Sequence, residues 1–215
     1  MKVKICGIRR MEDVDYLNEN LPDFAGFVFA DTRRQVTPEQ AWRLRQKLDR
    51  RIEAFGVFVN APAEVVRGCV CDGSIDAVQL HGDETEEYIR KLRKMIHVPV
   101  IKAVRARNTA DILAADALSC EYLLLDTYSP AQYGGTGRTF AWDIIPEKLC
   151  HPYFLAGGLN EGNIRDAVAR VPCFGVDISG GVETDGVKDR QKIKTMINIV
   201  RAYGSSESAA RNGGN

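Results

Sequence analysis

Short apolar runs alternate with stretches of helical periodicity along the chain. The first run is carried by Lys4-Ile5-Cys6-Gly7-Ile8, where a glycine lets the backbone turn and the polar residues 9–13 begin a helical pattern. Further runs lie at 24–29, 53–59, 76–81, 98–104, 122–126, 153–156 and 174–178, and their length and apolar content predict strands. Between them the pattern predicts helices over 11–20, from a Thr37 cap through Pro38 and Gln40 to residue 49, and from Ala61-Pro62 onward. Others are predicted from an Asp83 cap to residue 95, over 109–117, near Trp142, over 161–170 and over 187–203. Eight β-then-α units at a spacing of about 20–30 residues predict an α/β fold, a single (βα)8 TIM barrel. The runs are apolar throughout, as for strands covered on both faces. A doubly wound open sheet is the alternative, but the count of eight and the lack of a dinucleotide fingerprint favour the barrel. From Gly204 on, serine, glycine, alanine and asparagine predominate, which predicts a barrel domain over 1–203 and a disordered tail over 204–215.

The 215 residues are 45% hydrophobic and 27% charged, enough to fill one core. Acidic and basic residues balance at 29 each, which argues against nucleic-acid or membrane-surface partners but allows a local site for a small anion. No apolar run approaches the roughly 18 residues of a membrane span, and the N-terminus lacks a secretory pattern, so a cytoplasmic protein is expected. Six scattered cysteines make no disulfide framework. Cys69-Val70-Cys71 lacks the further ligands of a zinc site, so no metal is expected and these two read as helix packing or surface.

In such barrels the active site gathers at the C-terminal strand ends. There the sequence places Cys6, Phe29, Asn60, Gln79 with His81, Lys102 with Arg105, Asp126, Gly157 with Gly158, and Asp177 with Ser179. Cys6 is either a small core residue or a thiol aimed above the sheet. Asp126 closes the apolar run 123–125, where a carboxylate is costly without a task or partner, although a helix cap is the plainer alternative. Gly157-Gly158 and Gly180-Gly181 each follow a strand and are either tight turns or backbone cradles for a phosphate. Tyr133-Gly134-Gly135-Thr136-Gly137 has the composition of a lid. Arg33-Arg34 is either a solvated pair or a clamp for a substrate carboxylate. His81 is a candidate general base, or a residue that orients a ligand.

Together these segments resemble the phosphoribosylanthranilate isomerase family of the tryptophan pathway. The resemblance lies in Lys-Ile-Cys-Gly-Ile at 4–8, Arg-Arg-Gln-Val-Thr-Pro-Glu-Gln at 33–40, Val-Gln-Leu-His-Gly at 78–82 and Leu-Leu-Asp at 124–126. It continues in Gly-Gly-Thr-Gly-Arg-Thr-Phe-Ala-Trp at 134–142, Leu-Ala-Gly-Gly-Leu at 155–159 and Val-Asp-Ile-Ser-Gly-Gly-Val-Glu at 176–183. The resemblance implies a cofactor-free Amadori rearrangement of an aminoaldose to an aminoketose, with Cys6 as general base and Asp126 as general acid. It further implies that Gly157, Gly158, Ser179, Gly180 and Gly181 hold the phosphate, Arg34 the anthranilate carboxylate, and that Gln79 and His81 line the pocket. The acid would need a raised pKa and the thiol a lowered one. The implied partner is a small phosphorylated substrate, and the chain would act as a monomer or homodimer.

Two departures from the family pattern are visible: Gly180 stands where a second serine is common, and Arg190 where proline is frequent. The first removes a hydroxyl from the phosphate loop and is expected to change affinity more than reaction type. Another sugar-phosphate isomerase or epimerase, a non-catalytic phospholigand barrel, and relaxed specificity toward the related aminoaldose of histidine biosynthesis are the competing readings. The epimerase reading lacks metal-binding histidines, and retention of Cys6 with Asp126 argues against the non-catalytic one.

Overall fold

A computed structural model of the chain describes residues 1–126 and 142–212. Eight parallel strands close into a barrel: β1 (Lys2–Cys6), β2 (Phe24–Val28), β3 (Glu53–Phe58), β4 (Ala77–Leu80), β5 (Val100–Arg105), β6 (Tyr122–Asp126), β7 (Tyr153–Ala156) and β8 (Gly175–Ile178). The seam is β1 against β8, with Lys4 opposite Asp177. Around the barrel lie α1 (Met11–Asn20), α2 (Pro38–Lys47), α3 (Ala63–Cys71), α4 (Glu86–Arg93), α5 (Thr109–Ala115), α6 (Ile164–Arg170) and α7 (Arg190–Asn212). Between β6 and β7 the described residues contain a 3-10 turn at Trp142–Ile144, where the sequence predicts a short helical region.

Local chemistry sets most boundaries. Thr37 accepts from the Gln40 amide and Gln40 Oε1 accepts from the Thr37 amide, so α2 begins on the predicted capping box, with Pro38 at its first position. The start of α4 differs from the expectation. Thr85 caps it by accepting from the Tyr88 amide, while Asp83 belongs to the preceding loop, where its amide donates to Asn60. The closing helix differs at both ends. Val187–Lys188 (β10) pairs antiparallel with Glu183–Thr184 (β9), a small hairpin that delays the helix to Arg190. The stretch expected to be disordered from Gly204 is helical as far as Asn212. Extending a helix already nucleated costs little, and residues such as Glu207, Ala209, Ala210 and Arg211 propagate it well.

Strand alternation sorts the side chains. Val3, Ile5, Val78, Leu80, Leu123, Leu125, Val176 and Ile178 face the helices and form the main core. Phe24, Phe55, Ala77, Ile101, Leu124 and Phe154 fill the barrel interior, where Phe24, Phe55 and Phe154 meet ring to ring. The opposite parity at Lys4, Cys6, Gln79, Asp126 and Asp177 therefore turns their side chains inward, above that aromatic floor. No helix of the described residues is long and apolar enough to cross a membrane.

Candidate active site

Cys6 ends β1 and is buried, packed against Val28 and Val57. The space for its sulfur comes from Gly26 on β2, where a Cβ would lie 2.6 Å from Sγ. A glycine inside a strand signals such a close approach, the one cue to this contact that the sequence carries. Burial pushes the Cys6 thiol up; Lys4 and Lys188 oppose this and Asp177 adds to it. That is the reverse of the lowered pKa that the role implied by the family resemblance would need, because desolvation of the thiolate outweighs the nearby cations.

Beneath Cys6, Lys4 Nζ donates to Asp177 Oδ2 at 2.9 Å in a pair removed from solvent. Burial alone would lower the lysine pKa, but Asp177, by charge and hydrogen bond, and the nearby Cys6 hold it raised.

Across the barrel, Asp126 ends β6 and stands 3.4 Å from His81 Nε2. Gln79, buried on β4, faces His81 Nδ1 with its amide at 2.9 Å. With the amide nitrogen assigned toward Nδ1, the ring proton sits on Nε2, directed at Asp126. The two residues expected to line the pocket thus form a chain, Gln79 to His81 to Asp126. The loop carrying His81 is held from outside the barrel by Glu84, which accepts from the amides of Asn60 and Gly82 and from Lys102 Nζ at 3.0 Å. Lys102, grouped with the ring by sequence, serves this loop instead; its strand parity turns it away from the interior.

Arg34 lies over the turn after β1. A Cβ on Gly7, whose φ is +82°, would come within 2.4 Å of Arg34 Cδ, so the glycine both turns the chain and seats the arginine. The guanidinium is already gripped: Nε donates to Glu183 Oε1 at 2.6 Å and Nη2 to Oε2 at 2.9 Å. Arg33 and Lys188 bind the same carboxylate, at 2.6 and 2.9 Å. Burial would raise the pKa of Glu183, but Arg34 and Lys188 hold it down to about 2. The planar fork that sequence assigned to a substrate carboxylate therefore spends two of its nitrogens on Glu183, which sequence reading did not single out.

After β7, Gly157 and Gly158 take φ of +91° and +65°, conformations that L side chains resist. Asn160 and Asn163 both donate to the Gly158 carbonyl. After β8, Ser179 Oγ donates to the Cys6 carbonyl at 3.0 Å and a 3-10 turn begins at Gly180. A Cβ on Gly181 would sit 1.9 Å from the Leu159 carbonyl oxygen, so the two glycine loops interlock. Position 180 is roomier: a Cβ there would meet Arg34 Nη2 at 3.5 Å, an ordinary contact, so the missing serine reflects no steric demand. Cys6, Arg34, Ser179 and Gly180 are thereby gathered at one seam, and Gln79, His81 and Asp126 on the other side of the mouth. The proposed lid at 133–137 lies outside the described residues.

A family model described as N-(5'phosphoribosyl)anthranilate (PRA) isomerase matches residues 3–199. A curated relative, the N-(5'-phosphoribosyl)anthranilate isomerase of Endomicrobium trichonymphae, is 46% identical over 201 residues, covering 94% of this chain and 98% of the relative. Among solved structures, phosphoribosyl anthranilate isomerase from Thermotoga maritima matches with a TM-score of 0.80 at 37% identity, over 94% of this chain and 99% of that one. Another solved phosphoribosyl anthranilate isomerase, in complex with reduced 1-(o-carboxyphenylamino)-1-deoxyribulose 5-phosphate, matches with a TM-score of 0.77 at 34% identity, over 94% of this chain and 99% of that one.

Proposed function

The chain belongs to the N-(5'-phosphoribosyl)anthranilate isomerase family, isomerases of tryptophan biosynthesis, and on that premise we propose that Cys6 and Asp126 share the acid–base work of its Amadori rearrangement. Asp126, carrying a proton, gives it to the ribose ring oxygen; the C1′–O bond breaks and the anthranilate nitrogen closes a Schiff base to C1′. The Cys6 thiolate then takes the proton from C2′, and the C–H electrons move toward nitrogen to give an enolamine. Loss of the C2′ hydroxyl proton and gain of one at C1′ yield the aminoketose. C2′ is oxidised as C1′ is reduced, so no external electron carrier enters.

The observation that carries this reading is the inward placement of Cys6 and Asp126 on β1 and β6 at the C-terminal mouth of one barrel. His81, 3.4 Å from Asp126, is suited to orient that carboxyl and to return a proton to it. The positive-φ glycines after β7 and the amides that open the turn at Gly180–Gly181 suit a phosphate, with Ser179 beside them. Arg34 would meet the anthranilate carboxylate through Nη1, which takes no part in the Glu183 bonds. The ligand-bound relative, whose ligand carries both a carboxyphenylamino group and a phosphate, is consistent with these two anion sites.

The test is turnover of freshly made phosphoribosylanthranilate by wild type, Cys6→Ala and Asp126→Asn, followed by loss of substrate fluorescence. Each substitution is expected to lower kcat by about 10²–10⁴-fold, the usual range for a general acid or base. Near-normal turnover by either variant would remove the role given to that residue.

A further inference from the structure

Lys4 is completely buried inside the barrel, between the aromatic floor and the catalytic mouth. Its ammonium lies 5.7 Å from the Phe55 ring centroid below, and Cys6, two residues further along β1, faces the same way above it. Its other partner, Asp177, faces it in the β1–β8 register and uses only Oδ2; Oδ1 is buried without a hydrogen-bond partner among the described residues. Barrel interiors are ordinarily filled by branched apolar side chains. A buried ion pair is seldom more stable than such a filling, because desolvation of both charges offsets their attraction. Stability therefore gives little reason for a charge pair at this layer, whereas an adjacent thiol that must ionise gives one.

We propose that Lys4, clamped by Asp177, is a positioning residue that orients the Cys6 sulfur and stabilises its thiolate from beneath the site; this deepens, and rests on, the reading of Cys6 as the base. The other charges near the sulfur are less suited to that task. Lys188 divides its ammonium between the Ser179 carbonyl and Glu183, and Arg34 is held by Glu183 with its remaining nitrogen assigned above to the substrate carboxylate. Asp177 opposes thiolate formation, and its bond to Nζ offsets that opposition by pairing the carboxylate with the cation. Asp126 and His81 stand on the far side of the mouth.

The test uses the full chain carrying Lys4→Met with Asp177→Leu, an uncharged pair that leaves no lone buried charge. Circular dichroism and thermal unfolding check the fold, and Lys4→Gln with Asp177→Asn is read in the same way if the apolar pair does not fold. The pH dependence of Cys6 alkylation by iodoacetamide, followed by mass spectrometry of the Cys6 peptide, reports the thiol directly. Its midpoint is expected to rise by about one pH unit, with kcat near neutrality falling about tenfold, KM within about twofold, and the loss recovered as pH rises. A midpoint that stays put in a folded variant, or a kcat loss that higher pH does not recover, would overturn the proposal. Alkylation reads the sulfur without turnover, so failure of the base assignment would appear separately, in the Cys6→Ala activity.

Discussion

At the scale of single residues, the proposed chemistry turns on a thiol whose pKa its surroundings raise. A small inward side chain at the end of β1, seated against Gly26, is shielded from water, and the charged form loses hydration that Lys4 and Lys188 do not fully replace. In the proposed role of base, Cys6 must lose its proton to act. With its folded pKa raised, the thiolate fraction grows roughly tenfold per pH unit until that pKa is passed. The expected kcat/KM profile for wild type therefore rises with a slope near one from pH 6 to about 8.5, where steady-state rates on the natural substrate check it. A plateau already present at pH 7 would mean that the thiolate is formed in the free enzyme. Cys6 and Asp126 were legible as candidates because both end apolar strands. The direction of the thiol's shift was not, since Gly26, Lys188 and Asp177 approach it only once the barrel closes.

At the scale of elements, the proposed phosphate region is two turns locked together. The loop after β7 relies on left-handed glycines, while the turn after β8 presses Gly181 against the Leu159 carbonyl. In sequence both pairs are visible, and each is compatible with a tight turn or an anion cradle. The contacts divide the four: Gly157 and Gly158 are required by backbone conformation, Gly181 by contact with a neighbouring loop, and Gly180 by neither. Gly181→Ala is expected to force the loops apart, raise KM for the phosphorylated substrate at least about tenfold and destabilise the fold by about 1–3 kcal/mol, the usual cost of overpacking. Inhibition by inorganic phosphate and urea unfolding measure the two effects. Gly180→Ser, by contrast, is expected to fold normally.

At the scale of the whole molecule, Glu183 joins the loop after β2 to the hairpin after β8 by gripping Arg33, Arg34 and Lys188. Its folded pKa of about 2 lies below the ordinary carboxylate value of 4.5. The carboxylate therefore stabilises the fold fully above about pH 4.5, and that contribution is lost as pH falls toward 2. The shift corresponds to at most about 3 kcal/mol, less whatever solvent screens around the partly exposed arginines. Wild type should lose more stability than Glu183→Gln between pH 6 and 3, as read by urea unfolding at each pH. Equal losses would show that Glu183 does not drive that part of acid unfolding.

The sequence alone determined the number and order of β–α units, the strand ends at which the candidate site residues lie, and the cap of α2. These depend on apolar runs, turn residues and capping contacts within a few positions of one another, so they can be read in a line. The family resemblance likewise rested on contiguous motifs. Only the tertiary structure decided which charged groups meet: Lys4 with Asp177 across 173 positions and Arg34 with Glu183 across 149. Both pairs bring an early segment of the chain to a late one, and no local pattern encodes them; they exist because β8 returns to lie beside β1. The protonation of Cys6 belongs with them, because burial is a property of the closed barrel and of no segment within it.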